Sequence, residues 1–213
     1  MIESKSIIPH KTIERLAVYR RELKELASNK FTYIYSHQLA ELANNSPAQV
    51  RRDLMFIGCS GGNPKKGYDI ANLIENINKI LPQSSEPNIA VVGMGKLGKA
   101  ILSYSTAQNN LLRIKAGFDI NENIVNSVNS EGTCPCYTLD RFPEIVKGHN
   151  ITIGILTVPA KEAQTIADFM SKSGIKGIVN FAPVSLKVNN EVYLERIDIT
   201  MIIEKVSYFA DKL

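Results

Sequence analysis

Ile89-Ala90-Val91-Val92-Gly93-Met94-Gly95-Lys96-Leu97-Gly98 decides the fold. An apolar run ends on glycines spaced G-x-G-x-x-G and passes into a helix-like segment, 96–105. That order reads as strand, tight turn, helix, the pattern of dinucleotide-binding folds. Gly93 permits the turn, Gly95 lets a pyrophosphate approach the backbone, and Gly98 lets the helix pack close to the strand. The helix N-terminus directs free N–H groups at the phosphates. Gly93, Met94, Gly95, Lys96, Leu97 and Gly98 are therefore candidate cofactor-binding residues. A second apolar run, 114–118, ends in Asp119, 21 residues after Gly98. An acid there grips ribose hydroxyls and repels a 2′-phosphate, which favours NAD over NADP. A Gly-rich turn that binds nothing has the same local pattern, so the glycines alone leave both readings open.

Downstream, strands near 88–92, 114–118, 151–157 and 176–180 alternate with helices near 96–105 and 161–173. The alternation predicts an α/β domain with a doubly wound parallel sheet, Rossmann-like in class. A final helix is expected over 197–209, with Ile199, Ile202, Ile203, Val206, Phe209 and Ala210 apolar. So apolar a helix either pairs two subunits or covers the sheet. Pro82-Gln83-Ser84-Ser85-Glu86-Pro87 reads as a linker. The expected division is 1–82, 83–196 and 197–213.

Upstream, apolar residues recur at helical spacing over 9–28: Ile13, Leu16, Ala17, Tyr19, Leu23, Leu26 and Ala27. A short extended stretch follows, then a short helix capped by Ser36 with Leu39 and Leu42 inward. After a turn at Asn44-Asn45, Ser46-Pro47 is an N-cap followed by an N1 proline, opening a helix over 48–55. Together these form a helix-turn-helix. Ser46, Gln49, Arg51 and Arg52 would sit on its second helix, whose N-terminal half reads base edges. The alternative for Arg51 is an ion pair with Asp53 or Glu41. The Gly-rich stretch 58–67 fits a flexible basic wing, with Lys65 and Lys66 suited to phosphate or minor-groove contact. A further helix is expected over 68–81. Residues 1–67 carry 11 basic and 6 acidic side chains, the remainder 14 and 15. That asymmetry points to a nucleic-acid-binding module, or to a solvated basic face.

Other classes find less support. No apolar run approaches the ~20 residues that span a bilayer, and 1–5 lack a signal-peptide core, so a cytoplasmic protein is expected. The 3 cysteines do not suggest a disulfide framework. Cys134-Pro135-Cys136 is read as a surface turn, with a metal or redox pair as the alternative. No metal site and no catalytic residues are assigned. Of 3 histidines, His10 and His37 fall in the basic module and His149 in a turn, so no general acid–base histidine is evident in the cofactor cleft. Tyr208 and Lys212 have Tyr-x-x-x-Lys spacing, read as chance at the C-terminus.

Four segments carry a family resemblance: Val50-Arg51-Arg52-Asp53-Leu54, Val92 to Gly98, Leu156-Thr157-Val158-Pro159, and Gly174-Ile175-Lys176-Gly177-Ile178-Val179-Asn180-Phe181-Ala182-Pro183. Over nearly the whole chain the sequence resembles the Rex redox-sensing transcriptional repressors. The resemblance implies a homodimer with N-terminal winged-helix domains and C-terminal helices exchanged between subunits. It implies binding to a palindromic DNA operator, release by NADH, and competition by NAD⁺ without release. Residue by residue, it places Thr157, Val158 and Pro159 in the cofactor-lining loop and Asn180, Phe181, Ala182 and Pro183 in a second loop near the nicotinamide. Tyr104 would approach the nicotinamide. Asp198 and Arg21 would form a partner-switching pair, with the register between Arg20 and Arg21 open by one. The wing departs from the family pattern: 58–67 has no aromatic before Tyr68 and one residue more. The alternatives carried forward are a small NAD-dependent oxidoreductase and a CoA- or dinucleotide-binding module.

Overall fold

The glycine turn leaves the carboxyl end of a strand buried on both sides, which places it at the centre of a sheet. In the computed structural model, described over residues 8–59, 61–81, 87–107 and 112–212, the chain divides into two compact units, Met1–Ser85 and Glu86–Leu213. Of the expected linker, only Pro87 is among the described residues.

The first unit holds α1 (His10–Ser28), β1 (Tyr33–Ile34), α2 (Ser36–Leu42), α3 (Pro47–Phe56), β2 (Tyr68–Asp69) and α4 (Ile70–Ile80). In α1 the buried positions are Thr12, Leu16, Tyr19 and Leu23, one stripe at three- and four-residue spacing. Leu16, Tyr19 and Leu23 pack with Leu39, Val50, Leu54, Ile70, Leu73 and Ile77 into one core. Burying each large apolar side chain contributes roughly 1.5–3 kcal/mol. Two expectations fail here. Ala17 and Leu42 are exposed, and Leu39 with Ala40 forms the inward face of α2. Ser36 is not a cap: the N-cap position belongs to Tyr35, whose amide donates to the Gln38 side chain. β1 and β2 pair antiparallel, Ile34 opposite Tyr68. This is the winged helix-turn-helix arrangement, its wing reduced to a tight turn in which Asn63 and Gly67 exchange backbone hydrogen bonds.

The second unit contains β3 (Asn88–Val92), α5 (Lys96–Ala107), β4 (Ile114–Asp119), α6 (Glu122–Glu131), β5 (Cys136–Thr138), α7 (Phe142–Gly148), β6 (Ile151–Leu156), α8 (Ala160–Lys172), β7 (Gly177–Asn180), β8 (Tyr193–Arg196) and α9 (Ile199–Ala210). The strands run in the order β5-β4-β3-β6-β7-β8, all neighbours parallel. That is the doubly wound Rossmann order, reversing between β3 and β6. One face carries a core with Phe118, Phe142, Leu156, Ala163 and Met170; the other packs Val91, Met94, Leu102, Val125 and Val128. Cys134-Pro135-Cys136 is no surface turn: both thiols are buried and Cys136 opens β5. The final helix begins at Ile199, with Asp198 as its N-cap accepting from the Met201 amide. No described residue of α9 is buried, so it does not cover the sheet within one chain. Among the described residues no helix is long and apolar enough to cross a membrane.

Candidate functional site

A cleft of about 570 Å³ opens at the carboxyl edge of the sheet, where the strand order reverses. The ends of three strands and the loops that follow them line it: Val92, Gly93 and Gly95 at the end of β3, Asp119 to Asn121 at the end of β4, and Thr157 to Pro159 after β6. Ligands of open α/β sheets bind at this switch point. Gly93 has φ +97° and lies against the Thr157 backbone, a conformation and a proximity that glycine alone adopts without strain. The Thr157 hydroxyl donates to the Gly93 carbonyl at 2.7 Å, locking the turn. A Cβ on Gly98 would collide with the Gly93 carbonyl oxygen, whereas Gly95 faces open space. The first turn of α5 follows directly, with amides that have no intrahelical acceptor.

Asp119 stands at the rim and is already engaged. Its carboxylate accepts from the Met94 amide at 2.8 Å and the Asn121 amide at 2.9 Å. Two of about four lone-pair sites are thereby used, so the carboxylate braces the glycine loop and keeps acceptor capacity toward the cleft. Met94 turns its side chain away from the cleft, buried against Gly117. Lys96 lines a second hollow of about 320 Å³ with Lys99, Asn123 and Ser127. Leu97 is exposed on α5.

The remaining candidates lie outside the cleft lining. Asn180 is fully buried, bonding the Ala182 amide and the Val184 carbonyl, so its side chain builds the loop that carries Phe181, Ala182 and Pro183. Tyr104 is exposed on α5. Asp198 pairs with Arg196, and its carboxyl is held below the usual range, chiefly by the Met201 amide. Arg21 is exposed and pairs with its neighbour Glu22, whereas the Arg20 guanidinium is committed to the Leu81 carbonyl. Tyr208 and Lys212 do touch: Lys212, just past the end of α9, donates to the Tyr208 hydroxyl at 2.6 Å. Residues the sequence reading missed also line the cleft: Ile120, Ile124, Leu139, Glu162 and Ile166. Only the tertiary fold brings Leu139 and Ile166 to the same apolar wall.

In the first unit, α3 presents Arg51 and Arg52 to solvent. Arg51 reaches neither Asp53 nor Glu41; it donates to the Ser36 hydroxyl at 3.3 Å. Ser46 caps α3 through the Gln49 amide. The Gln49 carboxamide donates to Asp53 at 3.0 Å, so it is held against its own helix. Asp53 is buried and takes two bonds from Arg15, 2.6 and 2.7 Å, and one from Tyr19 at 3.0 Å. Lys65 and Lys66 lie on the wing turn, Lys66 over the Tyr33 ring.

Burial pushes the Cys134 and Cys136 thiols up to about 11, and Cys59 upward as well. The thiolate is the reactive form. A disulfide-exchange probe at neutral pH is therefore expected to label the native protein slowly and all three thiols quickly in denaturant. Equal rates in both states would contradict that burial. Among the described residues no group of His, Cys, Asp and Glu could hold a metal ion.

Residues 7–54 match the family described as "Putative DNA-binding protein N-terminus", and residues 84–184 match "CoA binding domain". The chain is 35% identical to the redox-sensing transcriptional repressor Rex of Listeria welshimeri, over 99% of this chain and 97% of the relative. It is 36% identical to that of Ligilactobacillus salivarius, over 96% and 94%. Among solved structures it is similar to RSP, a Rex-family repressor, with TM-score 0.80, 31% identity and coverage of 98% and 96%. RSP in complex with β-NAD⁺ and operator DNA matches with TM-score 0.85 and 32% identity over 98% and 94%. RSP in complex with β-NADH matches with 0.78 and 32% over 98% and 96%.

Proposed function

Because the chain belongs to the Rex family of redox-sensing transcriptional repressors, we propose that it is a cytoplasmic, homodimeric repressor, not an enzyme, that leaves a palindromic operator when NADH binds. In this reading 1–82 bind DNA, 83–196 bind the dinucleotide and 197–213 exchange between subunits. One observation carries it: a single chain joins a helix-turn-helix bearing two exposed arginines to a Gly93–Gly98 cleft at a sheet switch point.

The cleft residues fit an adenine dinucleotide. Open space at Gly95 admits a pyrophosphate to the backbone, and the first turn of α5 supplies amides. Asp119 receives the ribose hydroxyls, and the apolar wall of Ile120, Leu139, Val158 and Ile166 suits a base. Oxidised and reduced nicotinamide differ in charge and ring shape, which is the signal. Tyr104 and Asp198 report it, and Asn180 holds the loop of Phe181, Ala182 and Pro183 in place. Asp198 caps α9, so motion of that helix moves the carboxylate and exchanges its partner from Arg196. Arg21 is the switch arginine, since Arg20 is occupied by Leu81.

The apolar residues exposed along α9, Ile199, Ile202, Ile203, Val206 and Phe209 among them, pack on the second subunit. Coupling between the sites is a population shift of the dimer. A coupling of 1–3 kcal/mol changes operator affinity ~5- to 150-fold. The two reading helices must sit ~34 Å apart to engage a palindrome.

A gel shift on a palindromic duplex, with NADH titrated against fixed NAD⁺, tests the reading. Release by NADH is expected; affinity independent of NADH would overturn it. Arg51→Ala and Arg52→Ala are each expected to weaken operator binding ~10- to 150-fold with NADH affinity unchanged. Loss of NADH binding in either variant would point to misfolding instead. The match of 84–184 to a CoA-binding family favours a second reading, a CoA-binding module. Calorimetric titration with NADH, NAD⁺ and CoA separates the two, as does turnover of NADH with a carbonyl substrate for an oxidoreductase.

A further inference from the structure

The wing turn is fastened to the strand that precedes α2. The Tyr35 hydroxyl donates to the Lys65 carbonyl at 2.6 Å. The Lys66 ammonium lies 5.5 Å from the centre of the Tyr33 ring. Gly67 passes so close to the Ile34 carbonyl that any side chain there would collide with it. Within the turn, the Asn63 side chain accepts from the amides of Lys65 and Lys66 at 2.8 and 3.2 Å. The backbone of the turn is thus fixed from inside and from β1, while the Lys65 ammonium has no partner among the described residues.

The next residue along holds the other DNA-facing element. Ser36 accepts from Arg51 of α3. Consecutive residues, Tyr35 and Ser36, therefore grip the wing and the reading helix. Tyr35 occupies the N-cap position of α2, where a small hydroxyl or carboxylate residue normally satisfies the helix amides. Its side chain instead crosses to the wing, which gives up a cap in favour of a latch.

We propose that Tyr35 is a positioning residue for DNA contact, its hydroxyl setting the wing turn against the reading helix so that Lys65 and the α3 arginines engage one duplex together. The inference rests on the DNA-binding reading above. Tyr35→Phe keeps the ring and removes only the bond to Lys65. It is expected to weaken operator binding ~3- to 10-fold, the size of one neutral hydrogen bond, with NADH affinity and melting temperature unchanged. Tyr35→Ser restores a capping hydroxyl while removing the latch, so melting temperature is kept or raised while operator affinity falls. That divergence is what a merely structural role would not produce.

A double-mutant cycle with Lys65→Ala locates the effect. Tyr35→Phe is expected to change little once Lys65 is gone. Fully additive losses, or wild-type affinity in Tyr35→Phe, would overturn the proposal. If the wild-type protein does not bind the duplex at all, the DNA-binding reading falls first and this inference with it.

Discussion

Alanine at Asp53 is expected to unfold the N-terminal unit. The carboxylate is 3% exposed and receives both Arg15 bonds, the Tyr19 hydroxyl and the Gln49 carboxamide. Removing one partner of a buried ion pair leaves the other charge uncompensated and typically costs about 3–5 kcal/mol. A small domain has only ~5–15 kcal/mol in total. The network ties α1 to α3, so its loss also frees the helix that carries Arg51 and Arg52. Hydrogen exchange followed by proteolysis and mass spectrometry reads this directly: protection should vanish over α1 to α4 and persist in β3 to β7. Protection unchanged in α1 and α3 would show that the pair is dispensable.

The same carboxylate sets an acid limit. Burial pushes the Asp53 carboxyl up, but hydrogen bonds from Arg15, Gln49 and Tyr19 outweigh it and hold the carboxyl below its usual range. A depressed folded value stabilises the native state at pH above the ordinary carboxylate pKa of ~4. The contribution disappears as pH falls through the lower folded value. Asp53→Asn, which cannot ionise, should lose stability at neutral pH and show a flatter acid limb.

The decisive parts of this architecture lie in local sequence. The Gly93–Gly98 turn, the strands on either side and the Ser46-Pro47 start of α3 each carry their geometry within ten residues. What local pattern could not supply is pairing at a distance. β5 and β8 are short, of 3 and 4 residues, and acquire strand geometry from their neighbours rather than from alternation. α6 is rich in Asn and Ser, which favour caps and turns over helix interiors, and it forms because Val125 and Val128 reach the core. Cys134 and Cys136 read as a turn because their spacing is poor for a zinc site without a second pair, yet the Pro135 carbonyl between them accepts from the Gly117 amide at 2.9 Å and ties the segment to β4. In the first unit, Asp53 is, with Glu41, the alternative partner that sequence offers Arg51, only two residues away. On a helix that spacing points the side chains apart, so Asp53 faces inward to Arg15.

Gly95→Ala and Gly98→Ala should fail in different ways, and the contrast tests the cleft more sharply than either alone. Gly95 faces open space. A methyl group there meets no protein atom, so the melting temperature should hold. It would stand between the backbone and a pyrophosphate, and NADH affinity is expected to fall more than ~10-fold, the counterpart of about 1.4 kcal/mol. At Gly98 a methyl would collide with the Gly93 carbonyl, which already accepts the Thr157 hydroxyl. The atom struck is backbone, so helix α5 must shift from β3, at roughly 1–3 kcal/mol for an overpacked site. Stability and NADH binding should fall together. Wild-type NADH affinity in Gly95→Ala would mean that no phosphate passes over that residue. A native melting temperature in Gly98→Ala would mean that the turn yields where its contacts say it cannot.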